Sequence, residues 1–261
     1  MEQIVAAAHA VADAARAPTL AHFRSVDLAA ENKQGDYFDP VTEGDRAAER
    51  AMRAVLAELR PEDAILGEEY GETSGTTGLT WVLDPIDGTR GYICGTPTWG
   101  VLIAAVSGDD VLCGVIDQPY IGERFIGARG TGDWIRGDQK RALQTRKTTD
   151  LSQARIMTTF PEVGRDQDRK GFEAVAKHAQ FARYGMDCYG YALVAAGQID
   201  LVIEAGLASY DIAGPIGVVH GAGGIVTSWS GGVATHGGQA VAAANAELHS
   251  KALELLAPYA D

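Results

Sequence analysis

Apolar positions recur at helical spacing near the start of the chain: Ile4, Val5, Ala8, Val11, Ala12 and Ala15, interrupted by His9 and Asp13. That period predicts an amphipathic helix. A second stripe, Ala48, Ala51, Met52, Val55, Leu56 and Leu59, follows Thr42 and Asp45, which stand at capping-box spacing, and Pro61 closes it. The period then shortens. Apolar runs at Ala64–Leu66, Trp81–Leu83, Val101–Val106, Val111–Ile116 and Arg124–Ile126 are separated by Gly and Asp turns, which predicts strands and, in the middle stretch, an antiparallel meander. The first of these runs ends at Gly67, and Asp84-Pro85 stops the second. Around Leu143–Leu151 the chain turns polar, and a boundary is placed there. It divides a single unit, 1–261, into an α+β half, 1–147, and an α/β half, 148–261. Beyond it, strands at Ile156–Thr159, Phe181–Tyr184 and Leu201–Ile203 alternate with helices at Phe172–His178, Cys188–Ala196, Ile212–His220 and Ala246–Leu256. Alternation of this kind predicts helices packed on a sheet, an α/β fold.

Composition narrows the function. The 261 residues are 46% hydrophobic and 22% charged, enough for a packed core. The net charge of -13 argues against nucleic acid or an anionic membrane as partner. It also means that an anionic substrate would need local cations. Cys94, Cys113 and Cys188 form no C-x-x-C pair, so free thiols in a reducing cytoplasm are expected rather than disulfides or structural zinc. Met1-Glu2-Gln3 is acidic where a secretory signal would be basic, and no apolar run nears the ~20 residues of a membrane span. A soluble, cytoplasmic protein is expected. The six histidines, His9, His22, His178, His220, His236 and His249, are scattered, with none at ligand spacing on a helix.

The chemistry concentrates in acids at the ends of predicted elements. In Trp81-Val82-Leu83-Asp84-Pro85-Ile86-Asp87-Gly88-Thr89 a buried strand delivers two carboxylates to its C-terminal end, and Gly88 lets backbone approach a ligand. Two acids in one short loop repel each other unless a cation sits between them, and hard cations such as Mg²⁺ prefer oxygen ligands. An ordinary Asp-capped turn is the plain alternative. Gly67-Glu68-Glu69 also follows a strand. Tyr210-Asp211 heads a helix whose Pro215 is expected in the first turn, and Asp211 by itself reads as an N-cap. Asp39-Pro40-Val41-Thr42 with Asp45 completes the set. Other phosphate chemistries fit poorly: the acids are spaced D-x-x-D rather than D-x-D, and no P-loop or G-x-S-x-G elbow occurs. Gly221-Ala222-Gly223-Gly224 precedes a strand and reads as a helix C-terminal turn.

Together these segments resemble the inositol monophosphatase family, part of the fructose-1,6-bisphosphatase-like group of metal-dependent, lithium-sensitive phosphatases. The resemblance runs from about Ile4 to Tyr259 and is carried by Asp39–Thr42 with Asp45 and Glu49, Gly67-Glu68-Glu69, Trp81–Thr89, Tyr210-Asp211 and Gly221–Gly224. It implies an αβαβα sandwich, with an antiparallel N-terminal sheet and a smaller C-terminal α/β subdomain, in homodimers. It implies two or three Mg²⁺ per subunit, held by Glu68, Asp84, Asp87, Asp211 and the Ile86 carbonyl, with Asp45 tied to an additional ion. Glu68 and Thr89 would orient the attacking water, with Asp84 beside them in the catalytic set, and the phosphate would rest on the Gly88 and Thr89 N–H groups.

Within the family, Gly114–Pro119, Gly122-Glu123-Arg124, Gly127–Gly130, Asp187-Cys188-Tyr189, Leu193–Gly197 and Ile199–Leu207 look most like the histidinol-phosphate phosphatase branch. The resemblance implies a small phosphorylated metabolite as partner and a place in histidine biosynthesis. Asp187 and Glu204, with Asp211, would contact a substrate that carries an ammonium and an imidazole. For Asp187 a helix N-cap is the competing role. Arg90-Gly91 and Met186 depart from the usual pattern, and the gap from Lys33 to Thr42 is one residue longer than in inositol monophosphatases. Inositol 1-phosphate and 3′-phosphoadenosine 5′-phosphate are alternative substrates. A nucleotide would favour a basic or aromatic base-binding patch, and the sequence shows no clear one, although Tyr184, Tyr189 and Tyr191 cluster. A non-catalytic metal- or phosphate-binding relative is the alternative of a different class.

Overall fold

The computed structural model describes residues 1–26, 28–32, 40–160 and 162–261, so Lys33 and Asp39 lie outside the described residues. The chain opens with α1 (Glu2–His22), then β1 (Ala30–Asn32), β2 (Pro40–Thr42) and α2 (Glu43–Leu59). Ala7, Ala8, Val11, Ala12 and Ala15 form the buried stripe of α1. Thr42 caps α2, accepting from the Gly44 N–H, while Asp45 accepts from the Thr42 N–H at 2.8 Å.

An eight-stranded sheet follows: β3 (Ala64–Gly67), β4 (Gly71–Thr73), β5 (Thr80–Asp87), the five-residue helix α3 (Thr89–Ile93), then β6 (Gly100–Ser107), β7 (Asp110–Gln118), β8 (Glu123–Ala128), β9 (Thr131–Arg136) and β10 (Gln139–Ala142). Its order is β10-β9-β8-β7-β6-β5-β3-β4. The run from β5 to β10 is antiparallel and contains the expected meander as β6, β7 and β8, with β9 and β10 extending it, whereas β3 pairs with β5 in parallel. The second sheet begins with β11 (Arg155–Thr158), followed by α4 (Asp166–Ala176), β12 (Phe181–Tyr184), α5 (Tyr189–Ala195), β13 (Leu201–Leu207), α6 (Ser209–Gly221), β14 (Ile225–Thr227), β15 (Gly238–Ala243) and α7 (Ala246–Leu256). Its order is β12-β11-β13-β15-β14.

Five layers result, as the family resemblance implies. Helices α1 and α2 cover one face of the large sheet, α5 and α6 lie between the sheets, and α4 and α7 cover the far face of the small one. Apolar cores fill the layers: Val11, Met52, Leu56 and Trp81 between the outer helices and the large sheet, Phe125, Tyr191, Ile216 and Val219 around the middle helices, and Phe172, Leu201, Leu248 and Leu256 between the small sheet and α4 and α7. Buried Asp117 ties α1 to the sheet, accepting from Arg16 Nε and Nη2 at 2.8 Å each and from Arg124 Nε at 2.6 Å. Two guanidiniums compensate that buried charge.

Two local expectations change. First, β5 does not stop at Asp84-Pro85 but runs to Asp87, with a register shift between Asp84, opposite Leu102, and Asp87, opposite Gly100. Three steps on β5 meet two on β6, which is a bulge. A bulge leaves one residue unpaired, so proline, lacking an N–H, is tolerated there. Second, α6 starts at Ser209, which makes Pro215 its seventh residue rather than part of the first turn. The helix stays intact because both flanking sheets hold it, and Ile212 to Val219 are all buried.

Helix α6 approaches the large sheet through glycines. A Cβ on Gly217 would collide with the Gly114 backbone, and one on Gly221 would stand 2.6 Å from the Gly127 Cα. This seam sets the height of Asp211 above the sheet. Gly217→Ala is expected to lose about 1–3 kcal/mol through overpacking, read as a lower urea midpoint. An unchanged midpoint would refute the close-contact account.

Candidate active site

The site is built where strand ends of the large sheet meet the middle helices. The Glu68 N–H donates to the Leu83 carbonyl at 3.1 Å, which extends the β3–β5 pairing past Gly67. The following turn is fixed by buried Glu49, which accepts from the Glu69 N–H at 2.7 Å, the Tyr70 N–H at 3.2 Å and Arg53 Nε at 2.7 Å. On β5 the bulge matters for chemistry. Residues three apart on a regular strand face opposite sides, and the extra residue lets Asp84 and Asp87 turn toward one centre.

Each of three acids is anchored by a backbone donor. Asp84 Oδ1 accepts from the Ile86 N–H at 3.0 Å, Asp87 Oδ2 from the Cys188 N–H at 2.7 Å, and Asp211 Oδ2 from the Ala208 N–H at 2.7 Å. One oxygen from each lies within 4.8 Å of the others. Burial pushes the Asp84 carboxyl well above its usual range, and the charges of Glu68, Asp87 and Asp211 push it further. Asp87 is raised by burial and then by Asp187 and Asp211.

These groups line a cavity of about 440 Å³. Six carboxylates face it, Glu68, Asp84, Asp87, Asp187, Glu204 and Asp211, together with Gly88, Thr89, Arg90, Tyr191 and the Thr158–Phe160 segment. The Thr89 hydroxyl donates to the Ile86 carbonyl at 3.1 Å. Gly88 has φ 83°, and a Cβ there would stand 2.6 Å from Asp187 Cγ, so glycine serves both the turn and the close approach. Asp187, at φ 46°, accepts from the Thr98 hydroxyl at 2.9 Å. Its side chain therefore points to Thr98 instead of capping α5, and Asp87 takes the Cys188 N–H. Glu204, 7% exposed, accepts from the Thr159 N–H at 3.0 Å, from the Thr159 hydroxyl, and from the Tyr191 hydroxyl at 2.8 Å.

Most residues singled out in the sequence thus meet in one place. Asp45 is the exception, since it does not line the cavity. It is buried beside Thr42 and close enough to feel the charge of Glu68, and its Oδ1 has no hydrogen-bond partner. Burial raises its pKa to about 6, with the Thr42 hydroxyl and N–H pulling the other way. The three tyrosines do not form a base-binding patch. Tyr184 is exposed on β12, Tyr189 donates to Glu123 and Tyr191 donates to Glu204. Glu49, Phe160, Val163 and Tyr191 were not assigned to the site from sequence. For Glu49 the signal is its place in the Asp45…Glu49 segment and for Tyr191 the run of tyrosines; Phe160 and Val163 have none.

The profile of the inositol monophosphatase family matches residues 1–261. This chain belongs to that family. Its members are metal-dependent phosphatases acting on small phosphorylated substrates. Bifunctional phosphatase IMPL2 of Arabidopsis thaliana is 37% identical over 98% of this chain and 75% of its own. Histidinol-phosphatase of Streptomyces coelicolor is 35% identical over 95% of each. The structure of an inositol monophosphatase from Zymomonas mobilis superposes with a TM-score of 0.86 at 35% identity, covering 98% of both chains. Other relatives carry the names inositol-1-monophosphatase (Rhizobium meliloti, 33% identical, 74% of each chain) and Nus factor SuhB (Escherichia coli, 34% identical, 78% of this chain and 77% of its own).

The donor set fits the family's cation. An all-oxygen, like-charged and buried cluster is unfavourable alone and suits a hard divalent ion. Among the described residues, no helix is long and apolar enough to cross a membrane.

Between pH 3.8 and about 6 the folded, metal-free chain keeps a proton on Asp45 that the unfolded chain has released. Stability without metal therefore falls as pH rises through that window, and raised Asp84 and Asp87 act in the same direction. A divalent cation competes with those protons. The rise in Tm on adding Mg²⁺ is expected to be larger at about pH 8 than at about pH 5. Equal shifts at both would sink the account.

Proposed function

We propose that this chain hydrolyses L-histidinol phosphate to L-histidinol and phosphate in histidine biosynthesis. The observation that carries the reading is the cavity's acid content: Asp187 and Glu204 stand beside the cluster of Glu68, Asp84, Asp87 and Asp211. Four acids serve the cation and phosphate end. The remaining two suit an alcohol that bears an ammonium and an imidazole, and offer nothing comparable to an uncharged polyol. A charged hydrogen bond to such a cation contributes about 1.5–3 kcal/mol. Similarity to the histidinol-phosphatase of Streptomyces coelicolor supports the same substrate. The dispersal of Tyr184, Tyr189 and Tyr191 weighs against a nucleotide.

In this reading Glu68, Asp84, Asp87, Asp211 and the Ile86 carbonyl would hold two Mg²⁺, and Asp45, whose Oδ1 has no hydrogen-bond partner, would serve a third. The ions supply charge stabilisation at the phosphoryl oxygens and a lowered pKa for the attacking water. Glu68 and the Thr89 hydroxyl would orient that water, and the Glu68 carboxylate would take its proton, which leaves the alkoxide of the departing alcohol to be protonated from solvent. The Gly88 and Thr89 N–H groups steady the phosphate. Asp187 and Glu204, preset by Thr98, Thr159 and Tyr191, hold the leaving group for in-line displacement. The three free cysteines suit a reducing cytoplasm, and the enzyme is taken to work there as a homodimer.

A phosphate-release panel tests the substrate: histidinol phosphate, inositol 1-phosphate, fructose 1,6-bisphosphate and 3′-phosphoadenosine 5′-phosphate, each with and without Mg²⁺. Histidinol phosphate is expected to have the highest kcat/KM. Equal values for inositol 1-phosphate, the substrate class in the name of the Rhizobium meliloti relative, would overturn the assignment. Asp187→Asn is expected to lower kcat/KM for histidinol phosphate by about 10–100-fold and that for inositol 1-phosphate far less. Asp84→Asn is expected to reduce turnover of every ester by at least ~100-fold while the circular-dichroism spectrum stays native. Near-parental turnover in that variant would remove the metal roles.

A further inference from the structure

The cavity presents a charge problem. Its described lining holds six carboxylates and a single basic side chain, Arg90, in a protein of net charge -13. An incoming phosphate dianion is repelled by that surface until it reaches the cations at the cluster. Arg90 follows Gly88 and Thr89 directly and is aimed by an unusual neighbour. Its guanidinium carbon stands 5.1 Å from the centroid of the Phe160 ring, within the range of a cation–π contact. Phe160 is a large apolar side chain left 42% exposed at the cavity wall.

The segment carrying Phe160 is held in place. The Val163 N–H donates to the Phe160 carbonyl at 3.1 Å, closing a turn. Val163 is buried in the core of the small sheet with φ 48°. A β-branched residue in the left-handed region is an outlier that persists only when its surroundings impose it. The backbone that carries Phe160 is thus tied to the core of the small sheet, and the Arg90 guanidinium meets its ring at the cavity wall. Lysine in place of Arg90 would keep the charge but lose the planar stacking and the paired donors that match a phosphate.

We propose that Arg90, held at the cavity wall by Phe160, is the residue that captures the phosphate of the incoming ester beside the carboxylate cluster. Arg90 contacts the substrate, and Phe160 acts through Arg90 as a positioning residue. The proposal rests on the reading that the ester's phosphate enters this cavity. Failure of that reading shows separately, as retained turnover in Asp84→Asn.

The test measures kcat and KM with histidinol phosphate and with p-nitrophenyl phosphate at saturating Mg²⁺, for the parent, Arg90→Gln, Arg90→Lys, Phe160→Leu and the Arg90→Gln/Phe160→Leu double variant. Arg90→Gln is expected to raise KM for both esters on the order of tenfold, with kcat nearly unchanged. Added salt at constant Mg²⁺ should narrow its gap from the parent. Arg90→Lys and Phe160→Leu should give smaller rises in KM. The double variant should match Arg90→Gln alone, because the ring then has nothing to hold. A KM for Arg90→Gln within twofold of the parent, or effects of the two substitutions that multiply, would overturn the proposal.

Discussion

Everything in this molecule answers to one constraint: several carboxylates are brought together in a place largely shielded from water. Asp84, Asp87 and Asp211 offer oxygens within 4.8 Å of one another, with Glu68 alongside. Like charges at that spacing repel strongly at low dielectric. The backbone bears the cost by donating an N–H to each aspartate, from Ile86, Cys188 and Ala208. The remaining imbalance is what a divalent cation corrects, and it accounts for the metal dependence of the family in physical terms.

The layers explain how such a cluster survives. Strand β5, with its bulge, supplies two acids. The turn after β3 supplies a third, braced from behind by Glu49. Helix α6 supplies the fourth from its first turn. That helix is pressed between two sheets, on a glycine seam against the large one, so Asp211 cannot retreat from its neighbours. Three separate apolar cores stabilise the five layers. The stabilisation they provide can hold an unfavourable cluster in place, because burial of each apolar side chain contributes about 1.5–3 kcal/mol.

The same economy extends to the other acids of the cavity wall. Asp187 sits against Gly88 because no Cβ intervenes, and Thr98 fixes its orientation. Glu204 is held by Thr159 and Tyr191. Burial raises the pKa of both acids, with the Thr98 hydroxyl at Asp187 and Thr159 and Tyr191 at Glu204 pulling the other way.

Much of this was written in local pattern. The stripes of α1 and α2, the capping box at Thr42, the meander of β6, β7 and β8 and the bounds of α7 follow from side-chain period and turn chemistry, which act over a few residues. So does the presence of acids at the ends of β3 and β5 and at the head of α6. Other features depend on residues far apart in the chain, and no local period encodes them. Examples are the bulge that carries β5 through Pro85, the early start of α6, the withdrawal of Asp45 behind the cavity, the pairing of Asp187 with Thr98 and the stacking of Arg90 on Phe160. The amino-acid order thus determined which groups could do the chemistry. Only the packing of one sheet against another decided which of them share a cavity, because that contact is made by backbones that approach across more than a hundred residues, as Gly114 and Gly217 do.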